Sequence, residues 1–360
     1  MPKHLSPSEG TTVPLDTSML DGLPDPVFLV DQSLIIVDYN RAARSLLGEK
    51  ALHAKLVESL DSADVLRAIN ESLGGTPGSR REVFLPFPIA RDYEFSVWRL
   101  PNLKSPGPAW AMVALHDVTA TKKADQMRAD FVANVSHELR SPLSSLLGFI
   151  ETLRGPARDD EKTRDKFLEI METEAQRMTR LINDLLTLSK VETEEHIRPE
   201  DSVDLGSIMT QVTTTLSVQA KERGIEIVLE LPPDLSPVIG EPDELTQVFQ
   251  NLIANAVSYG DPETQVRVVA TEKQSISDSE QADISVAIIN RGDGIPAEEL
   301  PRLTERFYRV DKGRSRSMGG TGLGLAIVKH IVARHRGHLE IESVPKEETS
   351  FTVHLPRAGG

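Results

Sequence analysis

The chain has 360 residues, of which 39% are hydrophobic, and this supplies enough apolar material for two or three domains with separate cores. Its formal net charge of -15 excludes a general affinity for nucleic-acid phosphates, because such binding needs clustered Lys and Arg. The absence of cysteine excludes disulfides, thiolate metal sites and cysteine nucleophiles, and it fits a cytoplasmic protein.

The first 119 residues divide into two segments of different composition. Residues 1–17 are rich in Pro, Ser and Thr and predict a flexible tail. In residues 18–119, short apolar runs such as LIIVDYN and YEFSVWRL alternate with turn residues and with one helical stretch, RAARSLLG. This pattern predicts a small α+β sheet domain.

Nowhere does the chain reach the roughly 18 consecutive apolar residues of a membrane span.

Residues 120–195 predict two long amphipathic helices, separated by the break RGPARDD. Two such helices bury only part of their apolar faces by themselves, so we expect a homodimer in which two copies form a four-helix bundle. The apolar stripe of the first helix consists of Met127, Phe131, Val135, Leu139, Leu143, Leu146, Ile150 and Leu153. The stripe of the second helix consists of Phe167, Met171, Met178, Ile182 and Leu185.

Residues 196–360 mix strand and helix patterns and predict an α/β domain. The strand patterns are IEIVLEL, QVRVVAT, ISVAIIN, HLEIES and SFTVHLP. Helical periodicity extends over residues 244–258 and 324–336. The whole chain is therefore predicted to be a multi-domain α+β protein.

The first long helix carries a histidine beside a glutamate, in the stretch FVANVSHELRSPL. Glu138 can orient the His137 imidazole and accept its proton while the other ring nitrogen attacks an electrophile. Ser141 lies one helical turn further on the same side. Pro142 removes a backbone hydrogen bond and marks either a helix end or a kink, and the apolar stripe continues in phase to Leu153, which favours a kink.

This stretch resembles the phospho-acceptor box of sensor histidine kinases. The resemblance implies that His137 takes a phosphoryl group from ATP and that Glu138 is its base. It also implies that Ser141 stands where the family usually has threonine or asparagine, at the position that orients water for dephosphorylation of the partner.

The C-terminal domain carries polar and glycine-rich segments suited to a nucleotide. ELTQVFQNLIANAVSYG places carboxamide side chains at successive i+4 steps, where their oxygens can hold Mg²⁺. NRGDGIP follows a strand and by itself could be any tight turn. GGTGLGLAIVKHI begins rich in glycine and becomes a helix, so free N–H groups gather at a positive helix end. RFYRVDKGRSRS adds a basic loop, which includes Arg306, Arg309, Lys312, Arg314 and Arg316.

In this order the segments resemble the nucleotide boxes of the GHKL ATPases and kinases, which implies an α/β-sandwich ATP-binding domain. Asn255 is then the direct Mg²⁺ ligand. Ser258 stands where a lysine is common, and Asn290 stands where the family usually has an aspartate that accepts from the adenine amine. The ATP-binding residues implied by the resemblance are Gln247, Asn251, Asn255, Tyr259, Asn290, Gly292, Gly294, Ile295, Arg309, Gly320, Thr321, Gly322, Leu323, Gly324 and Leu325.

Together the boxes identify the chain as a member of the sensor histidine kinases, most similar to the phosphate-regulon type, with residues 18–119 resembling a PAS domain. The family implies ATP and Mg²⁺ as cofactors. It also implies transfer from His137 to an aspartate of a receiver domain of the OmpR or PhoB type, phosphatase activity on that regulator, and membrane attachment only through a segment absent from this chain.

Two alternatives remain open from the sequence. Ser258 and Asn290 also fit a dimeric scaffold or a phosphatase-biased protein that binds nucleotide weakly. A GHKL ATPase of the chaperone or gyrase kind is disfavoured, because those proteins lack the kinked helix with its His-Glu pair.

Overall fold

The computed structural model describes residues 17–60, 62–76, 80–86, 89–100, 109–272, 283–311, 313 and 320–358. The chain divides into two compact units, Met1–Val132 and Ala133–Gly360. Sheets and helices occur in both units, which confirms the multi-domain α+β class. Most of the predicted tail lies outside the described residues. The predicted domain boundaries at residues 119 and 195 stay predictions.

The first unit is built on a five-stranded antiparallel sheet in the order β2-β1-β5-β4-β3. Short helices cover one face of it and enclose a core that includes Phe28, Phe95 and Leu115. Helix α3 was not predicted from the sequence. The elements are β1 (Val27–Val30), β2 (Ile36–Tyr39), α1 (Arg41–Leu47), α2 (Leu56–Ser59), α3 (Ala63–Leu73), β3 (Arg80–Leu85), β4 (Arg91–Leu100) and β5 (Trp110–Asp117).

Two long helices follow, α4 (Thr119–Arg154) and α5 (Glu161–Glu194), with the predicted break between them. Helix α4 continues through Pro142 to Arg154, so the proline does not end the helix. Asp160 caps α5, because its carboxylate accepts from the backbone N–H of Thr163 at 3.2 Å.

The buried stripe of α5 differs from the predicted one. The side chains with almost no exposure are Arg177, Leu181, Leu188 and Val191. The predicted stripe is rotated by about one residue from this face, and one of its members, Ile182, is 45% exposed. The other four members of the predicted stripe are half-buried, so only Ile182 is exposed. Helix α5 packs against the helix Gly324–Arg334, and such tertiary packing is not visible in the periodicity of α5 itself.

The half of the chain predicted to bind nucleotide extends from Ser202 to Pro356 and is called here the nucleotide-binding half; it is an α/β sandwich. Its main sheet has the order β11-β12-β10-β9-β7, antiparallel except for the β7–β9 pair, and β6 pairs with β8 separately. Helix α7 packs on β10 and lies between α6 and α8. The elements are β6 (Ser202–Val203), α6 (Leu205–Glu222), β7 (Glu226–Glu230), β8 (Val238–Ile239), α7 (Pro242–Tyr259), β9 (Gln265–Glu272), β10 (Asp283–Arg291), α8 (Gly324–Arg334), β11 (His338–Ser343) and β12 (Glu348–Pro356).

Helix α6 is the largest element that the sequence analysis missed. Its middle contains Thr213, Thr214 and Thr215, and threonine has low helix propensity. The helix forms because Met209, Leu216 and other apolar residues along one side are buried, and this packing outweighs the propensity.

His335, directly after α8, is a buried histidine whose two ring nitrogens both have partners. Nε2 accepts from the backbone N–H of Glu241 at 3.0 Å, and Nδ1 donates to the backbone oxygen of Ile331 at 2.7 Å. Only the neutral imidazole fits, because a proton on Nε2 would face the N–H of Glu241. Burial lowers the pKa of His335 below its ordinary value of 6.5.

We therefore expect the free energy of unfolding to fall in acid because of His335. The unfolded chain takes up the proton first, so this contribution is complete above the unfolded pKa and is lost as the pH falls towards the lower folded pKa. The loss from one such group is at most about 1.4 kcal/mol per pH unit. Urea titrations from about pH 7.5 to about pH 5, followed by circular dichroism, measure it. His335→Gln should reduce the pH dependence, and an unchanged slope would contradict the assignment.

Candidate active site

The acceptor helix presents His137 to solvent. The side chain is exposed and makes no hydrogen bond or ion pair with another described residue, so its ring nitrogens are accessible. Ser141 is also exposed. Glu138 is half-buried, and its Oε2 accepts from Arg177 Nη2 at 2.6 Å. Arg177 was not singled out in the sequence, although a charged residue in register with the buried Leu181 and Leu188 was the available signal.

One face of α7 carries the predicted nucleotide residues. Gln247, Asn251 and Asn255 are half-buried and Tyr259 is exposed, while the opposite face contributes to the core. The Nδ2 atom of Asn251 is buried and has no hydrogen-bond partner among the described residues. An unpaired buried amide is costly, and it is what a polar ligand would satisfy.

The first glycine segment, NRGDGIP at residues 290–296, begins at the end of β10. Asn290 is buried there between its strand partners Val266 and Thr349. A Cβ at position 292 would lie 2.6 Å from the backbone oxygen of Tyr259, so glycine is required for this close approach. The first glycine segment is thereby held against the end of α7.

Gly294 and Ile295 complete the turn after this segment. Gly294 has a φ of +72°, and a Cβ there would lie 2.5 Å from Pro345 Cα, so both the conformation and the space require glycine. Ile295 donates its backbone N–H to Ser343 Oγ at 2.9 Å. The turn is thus fixed to the end of β11.

The second glycine segment, residues 320–325, leads into α8. Gly322 has a φ of +75°, and its backbone oxygen accepts from the N–H of Phe307 at 2.8 Å. Leu323 is buried, and α8 begins at Gly324 without a side-chain cap. A Cβ on Gly324 would lie 3.4 Å from Asn251 Oδ1, so the start of α8 faces the polar side of α7.

The residues present fit a nucleotide with its metal. The unpaired Asn251 amide, the tightly packed glycines and the uncapped start of α8 surround one region between α7 and α8, where N–H groups suit phosphate. Asn255, one turn from Asn251, offers the oxygen that Mg²⁺ prefers. Lys312, Arg314, Arg316 and Gly319 lie outside the described residues.

Polar side chains of α4 and α5 contact the nucleotide-binding half. Arg309, whose side chain is 7% exposed, places Nη2 3.5 Å from Glu138 Oε2, beside the contact from Arg177. Thr321 donates to Asp184 at 2.6 Å. The residues of these contacts border one small cleft, whose lining includes Glu138, Pro142 and Thr321. We call this set of contacts the docked arrangement.

Further contacts of the docked arrangement lie near the end of α5. Arg306 pairs with Glu192 at 2.6 Å, and His330 pairs with Glu195 at 2.8 Å. Arg334 donates to the backbone oxygen of Ile197 at 2.9 Å. Periodicity along the chain contained no signal for these pairs.

Family models match three segments of the chain. Residues 127–194 match the His Kinase A (phospho-acceptor) domain, and residues 240–359 match the histidine kinase-, DNA gyrase B- and HSP90-like ATPases. Residues 17–79 match a PAS domain. The chain belongs to the sensor histidine kinase family and is a protein histidine kinase by its domains, which confirms the resemblance. The roles of the individual site residues stay predictions.

The chain is similar to named sensor kinases. It is 34% identical over 348 residues to the phosphate regulon sensor protein PhoR of Pseudomonas aeruginosa, covering 93% of this chain and 73% of that protein. It is 38% identical over 245 residues to the sensor protein kinase WalK of Staphylococcus epidermidis, covering 68% of this chain and 39% of that protein.

A solved structure supports the fold. The histidine kinase ThkA, crystallised in complex with the response regulator protein TrrA, matches with a TM-score of 0.50 at 20% identity, covering 96% of this chain and 99% of that one. Within the described ranges, no helix combines the length and the apolar content needed to cross a membrane.

Proposed function

We propose that this chain transfers the terminal phosphoryl group of ATP to His137 and then to an aspartate of a separate response regulator. The contact between Arg309 and Glu138 carries the proposal, because it joins the segment predicted to bind the triphosphate to the neighbour of the predicted nucleophile. One imidazole nitrogen forms the new N–P bond, the bond to the bridging oxygen breaks, and ADP leaves. Glu138 accepts the proton from the other nitrogen.

Mg²⁺, held by Asn255, would supply charge neutralisation and polarise the terminal phosphoryl group. The remaining work belongs to the chain itself. Asn251 and the start of α8 orient the phosphates, and Asn290 orients adenine. Catalysis of phosphoryl transfer consists mainly of such positioning and electrostatic stabilisation.

Incubation with labelled ATP, followed by addition of a receiver domain of the PhoB or OmpR type, tests this function. We expect acid-labile label on the kinase first and on the receiver afterwards. Nucleotide binding without any label would favour the scaffold alternative instead.

The same chain is proposed to dephosphorylate its regulator and to respond to phosphate. Similarity to the phosphate regulon sensor protein supports the second point, and the exposed hydroxyl of Ser141 supports the first, since it can orient a water molecule. Ser141→Ala in the same assay should retain kinase labelling and retain label on the regulator for longer. Faster transfer to PhoB-type receivers than to unrelated receivers would support the phosphate response.

A homodimer through α4 and α5 follows from their uncovered apolar side chains. These side chains include Leu143, Leu147, Leu168, Ile182 and Leu186, and they remain 45–66% exposed. A second copy would bury this face, as in a four-helix bundle.

We expect Leu186→Glu to shift the protein from dimer to monomer in sedimentation at micromolar concentration, because an unpaired charge would be desolvated in the interface. Val218→Glu on α6 is the matched control, since Val218 and Leu186 are both 66% exposed. Dissociation by both variants, or by neither, would contradict this interface.

Asn290 is proposed to read the adenine amine as a neutral acceptor. A neutral hydrogen bond contributes roughly 0.5–1.5 kcal/mol and a charged one roughly 1.5–3 kcal/mol. Asn290→Asp should therefore tighten binding of an ATP analogue by about 1 kcal/mol, or about fivefold, and sharpen selection against GTP. Asn290→Ala should weaken adenine recognition. Calorimetric titration of the three proteins decides, and equal affinities would exclude this role.

A further inference from the structure

We propose that Asp184 is a positioning residue: it holds the second glycine segment on α5 and competes with the nucleotide phosphates for that segment. The inference rests on the proposed function, because that function assigns the phosphates to this segment. If the inference is correct, a residue of α5 controls how tightly the nucleotide binds.

The first observation is the hydrogen bond between the two elements. Thr321 Oγ1 donates to Asp184 Oδ2 at 2.6 Å, and the same hydroxyl oxygen accepts from the backbone N–H of Leu323 at 3.3 Å. Leu323 immediately precedes α8. One hydroxyl therefore links a carboxylate on α5 to the backbone of the glycine segment, and such charge-assisted bonds are short and strong.

The second observation is the position of Asp184 on its helix. It lies between Leu181 and Leu188, on the side of α5 that packs against the nucleotide-binding half. Burial raises the pKa of its carboxyl group, and the hydrogen bond from Thr321 and the charge of Arg180 only partly oppose this. A partly desolvated carboxylate depends strongly on its partners, and among the described residues Thr321 donates a hydrogen bond to Asp184.

The third observation concerns the charge of the segment that Asp184 holds. The start of α8 has no side-chain cap, so its N–H groups and helix dipole attract anions. Phosphates and the Asp184 carboxylate are both anions, so it is unfavourable for both to approach the start of α8. The docked arrangement also engages Arg309 with Glu138. Binding of the triphosphate and docking on α5 should therefore weaken each other, and this coupling is reciprocal.

The experiment measures the affinity of a non-hydrolysable ATP analogue, with Mg²⁺, for the full chain and its variants by titration calorimetry. Asp184→Ala removes the charge and the acceptor, whereas Asp184→Asn removes only the charge and preserves the shape. Asp165→Asn is the matched control, because Asp165 is an exposed acid on the same helix. Amide hydrogen exchange of residues 320–325 without nucleotide gives a second readout.

We expect Asp184→Ala to bind the analogue at least about fivefold more tightly than the parent, the lower end of typical coupling between sites. Asp184→Asn should tighten binding by a smaller factor, and Asp165→Asn should leave it unchanged. Exchange in residues 320–325 should be faster in Asp184→Ala. A purely structural role predicts that Asp184→Ala binds the analogue as tightly as the parent or more weakly. If the parent binds the analogue, either of these results would overturn the proposal. A parent that binds no nucleotide would overturn the proposed function as well.

Discussion

Replacing His137 with glutamine should abolish the formation of acid-labile phosphate on the protein. Glutamine retains polarity and a similar reach, but its amide nitrogen is not a nucleophile, so no N–P bond can form. The affinity for an ATP analogue should be unchanged, because the predicted nucleotide residues lie on α7, β10 and the glycine segments. Labelling with ATP and calorimetric titration of the same preparation measure the two quantities separately.

His196→Gln provides the matched control for this variant. His196 is an exposed histidine just after α5, so the substitution repeats the chemical change outside the acceptor box. We expect normal labelling. Label that persists in His137→Gln and disappears in His196→Gln would identify His196 as the acceptor and contradict the assignment to His137.

Replacing Glu138 with glutamine should slow autophosphorylation by about 10²–10⁴-fold, which is the usual contribution of a general base. Glutamine keeps the size of the side chain and can accept a hydrogen bond from Arg177, but it cannot take up the proton that leaves the imidazole. The loss should appear in kcat and not as an increased KM for ATP.

The contacts of Glu138 make the KM part of this prediction informative. In the docked arrangement its carboxylate binds Arg177 and Arg309, so glutamine weakens the pairing with Arg309 and leaves that arginine more available to the triphosphate. We expect ATP binding that is equal or tighter. Glu151→Gln, an exposed change on the same helix, should alter neither constant. A raised KM with normal kcat would mean that Glu138 binds and does not act as a base.

The acceptor box and the glycine segments were predictable because their requirements are local. Gly294 and Gly322 need positive φ, and α4 keeps one apolar period on both sides of Pro142, so neighbouring residues contain the whole signal. Helices α3 and α6 were missed for the opposite reason. In α6 the threonines argue locally against a helix, and only burial of one side against α7 favours it.

By itself, the sequence determined the domain types, the candidate nucleophile His137 and the nucleotide segments with their order. Only the tertiary structure decided which face of α5 is buried and which side chains of α4 and α5 bridge these helices to the nucleotide-binding half. The pair Arg309–Glu138 joins residues 171 positions apart, and Thr321–Asp184 joins residues 137 apart. Helical periodicity specifies which residues share a face but not what packs against that face. Partners at such separations are fixed by packing of the whole unit, and the most buried residues of α5 are accordingly offset by about one position from the predicted stripe.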